Sequence, residues 1–280
     1  MHNISLKSLI FRFKWKVLFT FLLVVIESLL EILYPLLIGL AINDLLDNKY
    51  NGIVHLAGLG VLSLIFGSAR RFYDTRIYSE IFCQIAPEMV ATEKKRGSSV
   101  SKISARSSLL TEFVEFLEES MPEIIGGFVS LIGILIIIAS LNFNVFFACL
   151  GILVVMFVVY GLSGKINYRL NANYNTQLEQ QVEAIESDKS DIIKNHYNYL
   201  MKWNIKLSDL ETINYFIIWI SIIVLFVYTP IAVIEGGVSK YGLIFSTFMY
   251  VFDYTDKIVT FPLHVQQLIR LQEISNRLMK

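Results

Sequence analysis

From Val17 to Leu46 the sequence is apolar with few interruptions. At 1.5 Å rise per residue a helix of that length reaches about 45 Å, more than the roughly 30 Å hydrocarbon core of a bilayer. Further long apolar runs follow, and only 17% of the 280 residues are charged against 55% hydrophobic. The mean hydropathy of +0.57 is far on the apolar side of a soluble domain. The chain therefore reads as an all-α membrane protein of about six long transmembrane helices, a class in which every backbone group is satisfied inside its own helix. Lys plus Arg equals Asp plus Glu at 24 each, so no basic surface for nucleic acid is expected.

The order of segments follows from hydropathy and turn signals. Ser5 to Phe13 sets Leu6, Leu9, Ile10 and Phe13 apart from Lys7 and Arg12, the pattern of an interfacial helix over residues 1–14. The cations before the first apolar run suggest a secretory signal, but the run is too long and lacks a small-residue cleavage site. Asn43 to Gly52 is the first turn. A second helix is predicted from Ile53 through Arg70, Arg71, Asp74 and Arg76 towards Glu93, leaving the bilayer in its polar part. A third is predicted from about Leu109 to Leu141, and a fourth from Val145 to about Leu162, with Asn142, Phe143 and Asn144 between them.

From Lys165 to about Glu211 the chain is polar but keeps a helical spacing at Ile193, Tyr197, Leu200, Asn204, Leu207 and Leu210. It reads as extensions of the fourth and fifth helices that turn near Ser187 to Ser190. A fifth crossing at Ile213 to Val233 and a sixth from Tyr241 complete the order. Extensions outside the bilayer are thus expected over about 85–108 and 165–211. Nearly all cations lie in the N-terminus, the second and fourth connections and the tail, which predicts cytoplasmic termini in a cell membrane. Trp15, Trp203 and Trp219 fit interfacial or near-interfacial positions.

Several stretches look like the six-helix membrane domain of type I ABC exporters. Pro35 and Gly39 followed by Asn43-Asp44 are similar to that family's P-x-x-x-G-x-x-x-x-D run. Ile103 to Arg106 and Phe116 to Pro122 look like its third-helix start, and Gly236 to Gly242, Tyr250, Pro262 and Arg277-Leu278 follow the order of its sixth-helix landmarks. The resemblance implies a transport domain of residues 15–280 that works as a homodimer. Ser63 and Gly67, with Gly60 nearby, have small-xxx-small spacing that could serve such a contact.

No P-loop occurs in the sequence, and Leu162-Ser163-Gly164-Lys165, though similar to an ATPase signature, ends a membrane helix. The connection over Ala91 to Leu109 is short for the loops with which such domains grip an ATPase, and the fourth connection also looks shortened. The chain ends at Lys280, where a fused exporter would begin its nucleotide-binding domain. The resemblance implies a transporter without its own ATPase, of an unknown small molecule or peptide, drawing on a proton or substrate gradient as some exporter-like peptide importers do. The alternatives are a subunit that recruits a separately encoded ATPase, disfavoured by the short loops, and a membrane chaperone, receptor or immunity protein. No enzymatic activity, cofactor or metal is expected.

Ionisable groups at membrane depth need a partner or a water-filled cavity. Glu27 and Glu31 stand one turn apart. Glu27 lies 22 residues before Lys49 (49 − 27) and Arg71 lies 22 after it (71 − 49), so antiparallel packing predicts that they meet. Glu27, Glu31, Arg70, Arg71 and Asp74, with Arg76, form either a transport pathway or a structural ion-pair clasp. Asp253, Asp256 and Lys257 share a face of the sixth helix. If the protein is proton driven, Glu27 and Glu31 are the expected coupling pair. Glu112, Glu115, Glu118 and Glu119 read as a solvated acidic face, His55, His196 and His264 as surface or interfacial histidines, and Cys83 and Cys149 as two buried free thiols.

Overall fold

The computed structural model describes residues 12–187, 189–237 and 240–279, without the side chains of 273 and 275–279. The expected interfacial helix lies almost wholly outside the described residues, as do Val238-Ser239 and the side chains of Arg277-Leu278. Among the described residues there is no strand. The helices are α1 (Lys14–Leu46), α2 (Asn51–Lys95), α3 (Val100–Glu115), a π-helical turn (Phe116–Ser120), α4 (Met121–Leu141), α5 (Phe143–Glu179), α6 (Gln181–Glu186), α7 (Ser190–Glu235) and α8 (Tyr241–Met279).

Since α3, the π turn and α4 form one rod, and α6 continues α5, the rods among the described residues number six. Five of the six are long and apolar enough to cross a membrane. In α8 the apolar run from Tyr241 is broken by Asp253, Asp256 and Lys257.

Two compact units divide the chain, one of residues 1–142 with 236–280 and one of 143–235. In the first, α1 is the shared partner, packing on α2, α4 and α8. At the distal end, where α1 turns into α2, its polar residues fasten both neighbours. Asp44 Oδ2 accepts from the Gly52 N–H at 2.8 Å and so caps the start of α2 from outside the helix. Asn43 Oδ1 does the same for α8, accepting from the Gly242 N–H at 2.8 Å.

Between these caps the helices touch backbone to backbone. A Cβ on Gly39 would collide with Gly242 O and Ser246 Oγ, and one on Gly242 with Gly39 O. Pro35 removes one rung of the α1 ladder, and α8 side chains bond carbonyls in that stretch. Ser246 Oγ donates to Pro35 O at 2.8 Å and Tyr250 Oη to Ile32 O at 2.7 Å.

The basal end closes on an apolar core that includes Phe13 just before α1, Val17 of α1, Tyr78, Ile81 and Ile85 of α2, Leu110, Phe113 and Leu117 from the third rod, and Ile274 of α8. The α2–α3 connection is only residues 96–99. Gly97, at φ 73°, takes the left-handed position after the helix. Its N–H bonds Lys94 O and that of Ser98 bonds Glu93 O, the two bonds of a Schellman stop. Ser99 then caps α3 by accepting from the Lys102 N–H, so this rod begins at Val100 and not near Leu109, because a cap can start a helix in a polar stretch. Glu93 ties the corner together, accepting from Ser98 Oγ at 2.7 Å and from Arg96 and Arg106.

In the second unit α5 packs along α7 with only Asn142 between α4 and α5. Asn214 Nδ2 donates to Ser163 Oγ at 3.1 Å, and the Gln177 amide meets His196 Nδ1 at 3.0 Å. The inward stripe of α7 corrects two expectations. It runs through Ile193, His196, Leu200, Trp203, Leu207 and Leu210, while Tyr197 and Asn204 face outward. The spacing follows a heptad that the sequence pattern placed one residue off at two turns, and His196 is buried, not superficial. Of the thiols, Cys149 is buried but Cys83 is exposed, since α2 turns that face away from its packed side.

The close approach of α1 to α8 gives a first prediction. Gly39→Val should destabilise the protein by about 1–3 kcal/mol through overpacking, read as a lower melting temperature in detergent. Gly58→Ala, whose Cβ meets nothing within 4 Å, should be neutral or slightly stabilising.

Candidate functional site

The four rods of the first unit enclose an open cavity of about 800 Å³, and each contributes one helical stripe to it. From α1 come Val24, Glu27, Ser28 and Glu31, at the spacing that places residues on one face. From α2 come Arg70, Arg71, Asp74 and Thr75, and from α8 Asp256, Lys257, Thr260, Leu263 and His264. The third rod adds Glu118, Glu119, Pro122, Glu123, Gly126, Gly127 and Ser130.

A smaller space of about 300 Å³ shares Glu31, Ser130, Asp256 and Lys257 with the first and adds Asp253 and Pro35. The sequence-predicted residues are thus brought together, with Asp253 in the smaller space. Seven carboxylates and three Lys or Arg side chains line the larger cavity, an excess of acid that favours cations over anions.

The ion pairs are more selective than the sequence pattern. Glu27 Oε2 accepts from Arg70 Nε, and Arg70 Nη1 also donates to Asp74 Oδ2 at 3.2 Å. These three side chains are 18%, 19% and 4% exposed respectively. Arg71, the partner that residue counting gave to Glu27, lies exposed on the cavity wall and makes no ion pair among the described residues. Equal height was right but azimuth decides, since consecutive helical residues point about 100° apart at 3.6 residues per turn.

Gly67, expected at a contact between copies, faces Glu27 of its own chain, where a Cβ would stand 3.0 Å from Oε1. Arg76 falls outside this cavity, stacking over the Phe72 ring at 3.2 Å and donating to Phe72 O. Asp256 and Lys257 make a loose, mostly solvated pair at 3.5 Å.

Glu118, Glu119 and His264 were read as solvent-facing residues, yet all line the cavity. What moves the glutamates is the π turn. Pro122 has no N–H to offer, and the Met121 N–H bonds Phe116 O, five residues back, so the rod takes in one extra residue. That rotates everything before it by about 100° relative to a regular helix. Pro122 after an acidic run was the available signal. His264 sits against Gly127, where a Cβ would come 2.9 Å from Nε2, a fit only a glycine on the facing helix allows.

The Glu27–Arg70–Asp74 group gives a second prediction. Arg70→Gln leaves two carboxylates in a poorly solvated site and should cost about 3–5 kcal/mol, as for a broken buried pair. Glu27→Gln added to Arg70→Gln should recover part of that loss. Thermal melts of both variants in lipid nanodiscs check this.

The family model for the ABC transporter transmembrane region matches residues 6–240 of this chain. No curated protein matches it.

Proposed function

We propose, because the chain belongs to the family of ABC transporter transmembrane regions, that it is a gradient-driven transporter that works as a homodimer without an ATPase of its own. The observation that carries this reading is the acid-rich cavity among four rods, three of them long and apolar enough to cross a membrane. Charges at that depth are expensive and persist where a water-filled path uses them. The protein is multi-pass, and the basic connections favour a cell membrane with both termini cytoplasmic.

Residues 96–99 are all that join α2 to α3, which leaves little to grip a separate ATPase and supports gradient coupling over that alternative. The coupling groups are drawn from Glu27, Glu31, Arg70, Arg71, Asp74, Asp253, Asp256 and Lys257. Opening and closing the cavity requires two states of unequal affinity for the driving ion, and ion pairs that re-form can supply them.

Purification from native expression tests the assembly. Native mass spectrometry is expected to give a dimer with no ATPase in stoichiometric amount and no binding of ATP. A monomer at every concentration, or a co-purifying ATPase, would overturn it. Transport itself is tested in proteoliposomes holding an entrapped pH dye, to which a mixed oligopeptide library is added under an imposed pH gradient. Library-dependent proton movement is expected, with roughly tenfold slower movement in a Glu31→Gln variant, about 1.4 kcal/mol on the barrier. The same movement in protein-free vesicles would remove the support for transport.

A further inference from the structure

Behind the cavity wall, between α1 and α2, three buried polar atoms close no hydrogen bond. They are Asp74 Oδ1, Thr20 Oγ1 and Tyr78 Oη. Thr20 lies within loose hydrogen-bonding reach of both others, though neither contact has the geometry of a closed bond, and Asp74 and Tyr78 are one turn apart on α2. Thr20 and Tyr78 are fully buried. An orphaned polar atom in such a place is costly, so three side by side call for an explanation. The hydroxyl of Thr20 is also unlike those of Thr75, Thr229, Thr247 and Thr255, which all donate to the carbonyl four residues back. It is left free to turn towards its neighbours.

The charges supply the rest. Glu27, Arg70 and Asp74 form a poorly solvated group that carries one negative charge too many when both carboxylates are ionised. One proton makes it neutral. Glu27 has the closer contact with Arg70, whereas Asp74 is held at 3.2 Å through one oxygen and is only 4% exposed. Its second oxygen is buried near the Thr20 hydroxyl, which can either donate or accept.

We propose that Asp74, backed by Thr20 and Tyr78, is a single-proton site, and that Asp74 is the carboxyl that gains and loses the coupling proton. The coupling role rests on the gradient-driven reading above; the proton site does not. With Asp74 ionised, Tyr78 O–H donates to Thr20 Oγ1 and Thr20 O–H donates to Asp74 Oδ1. When hydronium in the cavity gives its proton to Asp74 and leaves as water, Oδ1–H donates to Thr20 Oγ1 and the hydroxyl hydrogens swing round. Because these oxygens close no bond as they stand, both arrangements require the three side chains to draw slightly closer. Release to a cavity water reverses the step.

The other charged groups on the cavity that Asp74 borders are Glu27 and Glu31 from α1, Arg70 and Arg71 from its own helix, where Tyr73 also lies beside Asp74, and Glu118, Glu119 and Glu123 from the third rod. From α8 come Asp256, Lys257 and His264. Among these, Glu27 makes the closer contact with Arg70, and Glu31 is exposed and makes no ion pair among the described residues.

Infrared difference spectra of the protein in lipid nanodiscs, recorded as pH is lowered, test the assignment without any substrate. A protonated-carboxyl band is expected that disappears in Asp74→Asn, survives in Glu27→Gln and Glu31→Gln, and changes frequency in Thr20→Val and Tyr78→Phe. The last two keep the shape of the side chain, so they carry the test even if Asp74→Asn fails to fold. The proposal is overturned if no such band titrates, if it survives Asp74→Asn, or if neither hydroxyl variant moves it. In proteoliposomes with the pH dye and the oligopeptide library, Asp74→Asn is expected to abolish gradient dependence, and a variant that retains it overturns the coupling role. An intact infrared result without library-dependent proton movement in the wild type would leave the proton site standing and bring down the transporter reading together with the coupling role that rests on it.

Discussion

Everything in the first unit hangs on how closely α1 approaches its neighbours. Apolar helices in lipid gain little from hiding apolar surface, so close packing and interhelical hydrogen bonds have to hold them. The Gly39–Gly242 contact brings two backbones together, and within that distance Ser246 and Tyr250 can reach carbonyls of α1 and Asn43 can cap α8. With the distal end clamped and the basal end filled by an aliphatic and aromatic core, the middle of the unit is free to stay open and polar. A cavity of about 800 Å³ among such helices is tolerable only because stability is concentrated above and below it.

Much of this was legible in residues that carry backbone chemistry. Pro35, Gly39, Asn43 and Asp44, read as a family landmark, turn out to be a lost rung, a backbone contact and two remote helix caps in succession. The start of α8 at Tyr241 and the turn before Ser190 followed from Gly-rich and Ser-rich punctuation. What failed was azimuth. Arg71 for Arg70 and Tyr197 for His196 are each one residue from the right answer, because hydropathy fixes where a helix lies in depth far better than how it is rotated. The cavity glutamates Glu118 and Glu119 escaped for a related reason. A π turn shifts the face of a helix by one residue, and no hydrophobic pattern announces it when the residues concerned are polar.

The same defects that hid the site from the sequence shape how it can change. Three of the four rods around the cavity carry a break in their hydrogen-bond ladder near its wall: Pro35 in α1, the π turn before Pro122, and Pro262 in α8. A proline has already given up the bond that bending would break, so a helix flexes there at least cost. With both ends of the unit fastened, motion concentrates at the cavity level, where Glu27, Arg70 and Asp74 join α1 to α2. α2 is unbroken at this height, its Pro87 lying nearer the basal end. A flexing α1 would therefore move Glu27 and Thr20 together against a fixed Arg70 and Asp74. One displacement changes both the ion pair and the hydroxyl contact, which are the two interactions that decide whether Asp74 holds a proton. A site whose occupancy and geometry share a single hinge needs no further relay to tie a gradient to a change of shape.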